Sequence, residues 1–212
     1  MDSKDIRALV MAKKISSGGG GSSDTRFKSL VEGTITSIND TECTSICANC
    51  FRGLESLQTV SMENVTEVND SAFYACKVLN VSLPKCESLA NHAFYGTNRI
   101  ENVSIPKVTS LGDSCFATSL ISTLDCPKVV SIGAKAFDKS NLSILILRSA
   151  EMCVLANTNS LTSQFFKSGG AGGTVYVPQS LLATYQADSI WSSALAANAN
   201  NQILAIEGSP YE

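Results

Sequence analysis

The sequence is poor in charged residues, histidine and aromatic residues. Charged residues make up 17% and aromatic residues 7% of its 212 residues, and the net charge is −3. Ordinary globular domains are about one quarter charged. Because the chain has no basic excess to neutralise phosphates, we do not expect it to bind nucleic acid. With a single histidine, His92, the chain cannot build a metal site from several of its own histidines.

Long apolar runs are also absent. No stretch of about 18 apolar residues occurs, so the sequence predicts no membrane-spanning helix. Residues 1–15 are interrupted by charged side chains and lack the apolar core of a secretory signal. These absences indicate a globular chain. Its organisation must be inferred from the spacing of residues along the sequence.

One spacing pattern runs through most of the chain. Five phenylalanines recur at intervals of 22, 21, 22 and 21 residues, and an L-x-x-L-x-L apolar triplet follows each. This spacing is typical of a leucine-rich repeat, because a unit this short buries its apolar edges only by stacking on its neighbours. The phenylalanines are Phe51, Phe73, Phe94, Phe116 and Phe137, and the central triplet residues are Val60, Val81, Val103, Leu124 and Leu145.

The pattern predicts a right-handed, β-rich leucine-rich-repeat solenoid of about five repeats of 21–22 residues. The repeat domain is expected over residues 24–178, with a glycine-containing loop insertion around 161–173. Residues 179–212 are expected to form a C-terminal cap of helix and strand, because the last repeat would otherwise expose its apolar end.

The N-terminal residues predict a separate attachment element. Residues 1–15 have helical apolar spacing, and residues 16–23 (SSGGGGSS) have the composition of a flexible linker. The helix would dock on a partner or self-associate through Ile6, Leu9 and Val10. A disordered tail is the alternative.

The repeat units resemble a named family. Units such as VTEVNDSAFYACKVLNVSLPKC resemble the BspA-like (Treponema-type) leucine-rich repeat, in which V-x-x-I-x-x-x-A-F leads into L-x-x-V-x-I-P. The resemblance covers about residues 33–178, although no proline follows Met62 and Arg148 stands where the fifth repeat should have proline. It implies binding and adhesion rather than catalysis, in bacterial surface proteins or in phage and prophage proteins. We therefore expect a virion- or cell-surface-associated protein, with a cytoplasmic protein as the alternative.

Cys43, Cys47 and Cys50 form a motif with possible chemistry. Their spacing matches the cysteines that hold a [4Fe–4S] cluster in radical S-adenosylmethionine enzymes. The repeat phase explains two of them differently, since Cys43 falls on an interior position and Cys50 on the small site before a phenylalanine. We therefore expect no cofactor and no metal, with the cluster enzyme as a remote alternative. The eight cysteines are expected to be reduced, although an even number allows disulfides.

The residues flanking the central triplet position should face outward on a concave sheet. This face would offer hydroxyls and amides to a protein or glycan, but it lacks the Trp, Tyr and Arg anchors of protein hot spots. Simple solvation is the alternative. Ile144 and Ile146, at its end, are expected to lie under the insertion or the cap, and Trp191 is expected to plug the cap. The predicted binding residues are Thr59, Ser61, Asn80, Ser82, Asn102, Ser104, Thr123 and Asp125.

Taken from the sequence, the favoured function is a non-enzymatic binding or adhesion module that recognises a host or cell-surface molecule. No catalytic residues are assigned. A structural spacer without a ligand and the iron–sulfur enzyme are the alternatives.

Overall fold

The computed structural model describes residues 35–167 and 170–212. The predicted attachment helix and linker, with Ile6, Leu9 and Val10, lie outside the described residues. From Ile35 onward the chain winds as a parallel β-solenoid, which confirms the predicted leucine-rich-repeat architecture. Most turns contribute one strand of three or four residues and one strand of two residues.

The longer strands are β1 (Ser37–Asp40), β3 (Thr59–Met62), β5 (Asn80–Ser82), β7 (Asn102–Ser104), β9 (Thr123–Cys126), β11 (Ile144–Leu147), β13 (Thr174–Val177) and β14 (Gln202–Ala205). The short strands are β2 (Ser45–Ile46), β4 (Glu67–Val68), β6 (Ser88–Leu89), β8 (Ser110–Leu111), β10 (Ser131–Ile132) and β12 (Val154–Leu155).

The short strands form one continuous sheet, in the order β12-β10-β8-β6-β4-β2. The longer strands form two separate sheets, β1-β3-β5-β7 and β14-β13-β11-β9. All pairs are parallel and in repeat register, so that Val60 lies beside Val81 and Leu124 beside Leu145. The concave face is therefore interrupted between β7 and β9, while the opposite side of the same turns stays paired.

The phenylalanines stack along the solenoid axis in the interior. Consecutive ring centroids lie 5.2, 5.0, 5.3 and 6.0 Å apart, and all five side chains are buried. Burial of each ring removes apolar surface from water, at roughly 25 cal/mol per Å². Val103 departs from the predicted interior row, because it is only half-buried where its row neighbours Val81 and Leu124 are buried.

The turns around the phenylalanines need an unusual backbone. Two residues before and two residues after each phenylalanine, φ is positive, as at Ala75 (55°) and Gly96 (69°). These turns are joined by hydrogen bonds between repeats, for example from the Phe73 N–H to the Ala93 carbonyl at 2.9 Å. The left-handed conformation costs a non-glycine residue about 1–2 kcal/mol, so stacking must offset it.

The C-terminal residues close the last turn. A 3-10 helix (Thr158–Leu161) lies within the long connection to β13, and helices α1 (Gln179–Ala187) and α2 (Ser189–Leu195) precede β14. Trp191 is 1% exposed and its Nε1–H donates to the Cys153 carbonyl at 2.7 Å, so its ring packs against the solenoid end. None of the helices in the described part of the chain is long and apolar enough to cross a membrane.

Candidate binding groove

The eight predicted binding residues line one groove on the outer face of β3, β5, β7 and β9. The groove has a volume of about 500 Å³ and is also lined by Val60, Val81, Val103 and Glu101. Sequence reasoning missed Glu101, which precedes β7, because it falls one position outside the alternating strand pattern. The register of β3, β5 and β7 places six of the eight on one face, and Thr123 and Asp125 join them from β9 across the break between the two sheets.

Two asparagines form the centre of the groove. The Asn102 Nδ2–H donates to the Asn80 Oδ1 at 2.8 Å. This bond leaves donors on the Asn80 amide and acceptor capacity on the Asn102 amide. Together the pair offers a neutral ligand both a donor and an acceptor about one strand spacing apart.

The serine hydroxyl groups beside the asparagines are small and accessible to a ligand. Within the described residues no side-chain hydrogen bond is formed by Ser61, Ser82 or Ser104, which follow one another on adjacent strands. Such hydroxyls can donate or accept as a ligand requires. The groove is therefore suited to recognising neutral polar groups.

One end of the groove is closed by an ion pair. The Arg148 Nε–H donates to both carboxylate oxygens of Asp125 at 3.0 Å, and the Arg148 Nη2–H donates to the Tyr211 carbonyl at 2.6 Å. Arg148 thus neutralises the charge of Asp125 at this end of the groove, so Asp125 does not offer an unpaired carboxylate to a ligand. Asp125 lies in the groove, and Arg148 already matches its charge.

Aromatic rings lie just beyond this wall. Tyr176 on β13 and Tyr211 near the C-terminus have ring centroids 5.0 Å apart. Tyr176 pairs in register with Ile146, which is 2% exposed and so is buried as expected. The sequence predicts no Tyr or Arg anchor on this face, because Arg148, Tyr176 and Tyr211 meet only in the folded chain. In the sequence, Arg148 in place of a repeat proline was the signal that could have indicated this anchor.

The cysteines require one correction. Cys47 and Cys50 are joined as a disulfide, with their Cα atoms 5.3 Å apart, whereas we expected reduced thiols. A C-x-x-C pair in a turn brings the two Cα atoms within the usual disulfide range. The disulfide occupies two of the three thiols that a cluster would need. In the described part of the chain, no three His, Cys, Asp or Glu side chains are grouped to hold a metal ion.

The five buried thiols behave as small apolar residues, whereas Cys43 is half-buried and not fully interior as its repeat position predicted. Burial raises the pKa of the Cys86 thiol to about 11 and that of the Cys153 thiol to about 12, and it raises the pKa of Cys126 strongly. A thiol with so high a pKa is a poor nucleophile at neutral pH. Packing in the repeat interior accounts for these cysteines, and no reactive role is needed to explain them.

His92 lies on the turn face, away from the groove. Its ring contacts Tyr95, and its Nδ1 lies 3.9 Å from an Asp70 oxygen. Arg52 lies 4.0 Å over the ring of Tyr74, which in turn stacks on Tyr95. This exposed stack provides lateral packing between repeats.

Comparison with known proteins agrees with this architecture. Residues 23–169 match the BspA type leucine rich repeat region, in six copies. Six rather than the predicted five are consistent with the extra rung that β1 adds before β3. Among curated proteins, none matches the sequence. Because the matched region covers more than half of the chain, this protein belongs to the BspA-type leucine-rich repeat family.

Proposed function

We propose that this chain is a non-enzymatic binding module that recognises a protein or glycan on a cell surface through the concave groove. In this proposal it works as an adhesion or receptor-binding element, carried by a surface- or virion-associated assembly. The observation that supports it is the meeting of eight small polar residues of four strands in one groove.

The chemistry of the groove favours recognition by hydrogen bonds. The Asn80–Asn102 pair and the serine row offer neutral donors and acceptors, and the bond to Arg148 neutralises Asp125. Neutral hydrogen bonds contribute only about 0.5–1.5 kcal/mol each, so useful affinity needs several of them at once. Repetition of the same residue types on adjacent strands provides such a set.

Binding of fluorescently labelled protein to intact bacterial and epithelial cells tests this function. The test variant carries Asn80→Lys and Asn102→Lys, which fill the centre of the groove with two long cations. The matched control carries Asn98→Lys and Asn200→Lys, which make the same change at exposed residues that do not line the groove. We expect the wild-type protein to bind saturably. The first variant should lose this binding, and the second should keep it. Equal binding by both variants, or no binding to any cell, would contradict the proposal.

A further inference from the structure

The concave sheet has a gap in the middle of the groove. Most Cα–Cα pairs between β7 and β9 are more than 8 Å apart, whereas hydrogen-bonded neighbours such as β9 and β11 lie closer. Paired strands are about 4.7–4.9 Å apart. β7 and β9 are therefore separated by more than one strand spacing, and no ladder of hydrogen bonds joins them.

The backbone groups that face this gap are unpaired within the described residues. On β9, Leu124 and Cys126 exchange hydrogen bonds with β11, so Thr123 and Asp125 direct their N–H and carbonyl groups toward β7. On β7, Asn102 and Ser104 bond to β5, which leaves the Val103 N–H and carbonyl directed toward β9. Both edges of the gap therefore present strand-like donors and acceptors.

The missing bond can be identified from the other turns. The first residue of β7, β11 and β13 donates its N–H to the turn before it, as Ile144 does to the Ser122 carbonyl at 3.1 Å. The corresponding bond from the Thr123 N–H to the Glu101 carbonyl is absent. The half-burial of Val103 has the same origin, because no neighbouring strand covers that side of it.

We propose that an extended peptide segment of a partner protein inserts as a strand between β7 and β9. This proposal rests on the proposed function and names the class of ligand. Main-chain amides are the groups that complement alternating donors and acceptors on two facing edges, as in strand addition to open sheets. Filling the gap would join the two concave sheets into one.

Charge in the groove specifies the segment further. Glu101 is exposed, lines the groove, and forms no ion pair among the described residues. Because Arg148 already neutralises Asp125, Glu101 leaves the groove with an uncompensated negative charge. The segment should therefore carry a lysine or arginine beside Glu101 and small side chains elsewhere.

Hydrogen exchange of the full-length protein tests the gap first. We expect the amide protons of Val103, Thr123 and Asp125 to exchange at least tenfold faster than those of Leu124 and Cys126. Slow exchange at these three amides in the absence of a partner would mean that the gap is closed or filled by the chain's own residues, and would overturn the proposal.

The second measurement adds two pools of acetylated, amidated hexapeptides, one with a central lysine and one with a central glutamate. We expect the lysine pool to bind more tightly and to slow exchange at the three amides. Glu101→Gln should remove the preference between the pools. Absence of protection by either pool would contradict strand insertion.

A proline variant isolates the main-chain contribution. Thr123→Pro removes an N–H that has no partner in the sheet, a position where strand edges accept proline. It should lower peptide affinity at least tenfold, and by more than Thr123→Val, which removes the hydroxyl but keeps the N–H. Unchanged affinity of Thr123→Pro would overturn the insertion. If cells still bind through the Asn80 and Asn102 side chains while the peptides do not, strand insertion fails but the groove function stands.

Discussion

Arg148, the residue after β11, and Asp125 on the neighbouring strand β9 form a charged pair at the end of the groove, with both carboxylate oxygens 3.0 Å from the Arg148 Nε. The two side chains are 33% and 44% exposed, so the pair itself contributes at most about 1 kcal/mol. Its larger effect is positional, because the same guanidinium holds the Tyr211 carbonyl. The repeat proline that Arg148 replaces could provide neither contact.

Arg148→Ala should therefore loosen the C-terminal residues more than it destabilises the solenoid. We expect a loss of no more than about 1 kcal/mol in the free energy of unfolding, together with faster proteolysis near Tyr211. Urea unfolding and limited digestion followed by mass spectrometry measure the two effects. Digestion at the wild-type rate would show that Arg148 does not hold the C-terminus.

The positive-φ positions allow a reciprocal test of backbone strain. Ala75 and Gly96 occupy equivalent places two residues after a phenylalanine, with φ of 55° and 69°. Ala75→Gly should raise the free energy of unfolding by about 0.5–1 kcal/mol, because relief of left-handed strain exceeds the entropic cost of glycine.

Gly96→Ala is the matched control and should lower the free energy of unfolding by about 1 kcal/mol. A Cβ at Gly96 would come no closer than 3.7 Å to other atoms, so the loss would come from the backbone alone. Chemical denaturation gives both values. Destabilisation by Ala75→Gly would show that these turns are not strained.

Thiol titration tests the disulfide. The unfolded, unreduced chain should react at six of its eight cysteines, and at all eight after reduction. In the folded protein, reagent should reach the half-exposed Cys43 before the buried thiols of Cys115 and Cys126. Eight reactive thiols before reduction would contradict the Cys47–Cys50 bond.

Buried thiols should make the fold sensitive to alkaline pH. Desolvation raises the pKa of Cys86 from an ordinary value of 9.0 to about 11, so the folded state holds this proton more tightly than the unfolded state. The contribution of Cys86 to the free energy of unfolding is then fully present below pH 9 and is lost as the pH rises toward 11. The slope approaches about 1.4 kcal/mol per pH unit for each such thiol.

Cys86→Val provides the comparison, since valine fills the same interior position at Val65, Val108 and Val129. Urea unfolding between pH 8 and 11 should show a shallower decline for the variant, with the remaining slope due to groups such as Cys153 and Tyr185. Identical slopes would show that Cys86 does not titrate differently in the two states.

The repeat phase was sufficient to predict the interior rows, apart from the half-buried Val103, and the polar residues that line the groove. Each turn uses the same spacing, so the position of Phe73 in one unit determines the place of Phe94 in the next. The candidate binding residues followed from the alternation of side chains along a strand, which is local information.

Features outside the repeat were not predictable in this way. Arg148 reaches Tyr211, 63 residues away, and no local pattern encodes that contact. The gap beside Val103 arises where β7 and β9 separate while β8 and β10 of the same turns stay paired, although Val103 is the same residue type as Val81. The Cys47–Cys50 bond was not predicted because the repeat phase explained Cys50 as a small side chain before a phenylalanine and gave Cys47 no role.

The concave groove is tested by the dissociation constants for cell binding of three proteins: the wild type, the Asn80→Lys, Asn102→Lys variant and the Asn98→Lys, Asn200→Lys control. We expect the groove variant to bind at least tenfold more weakly, which is about 1.4 kcal/mol, and the control to match the wild type. Equal affinity of all three proteins would contradict the concave groove as the binding site.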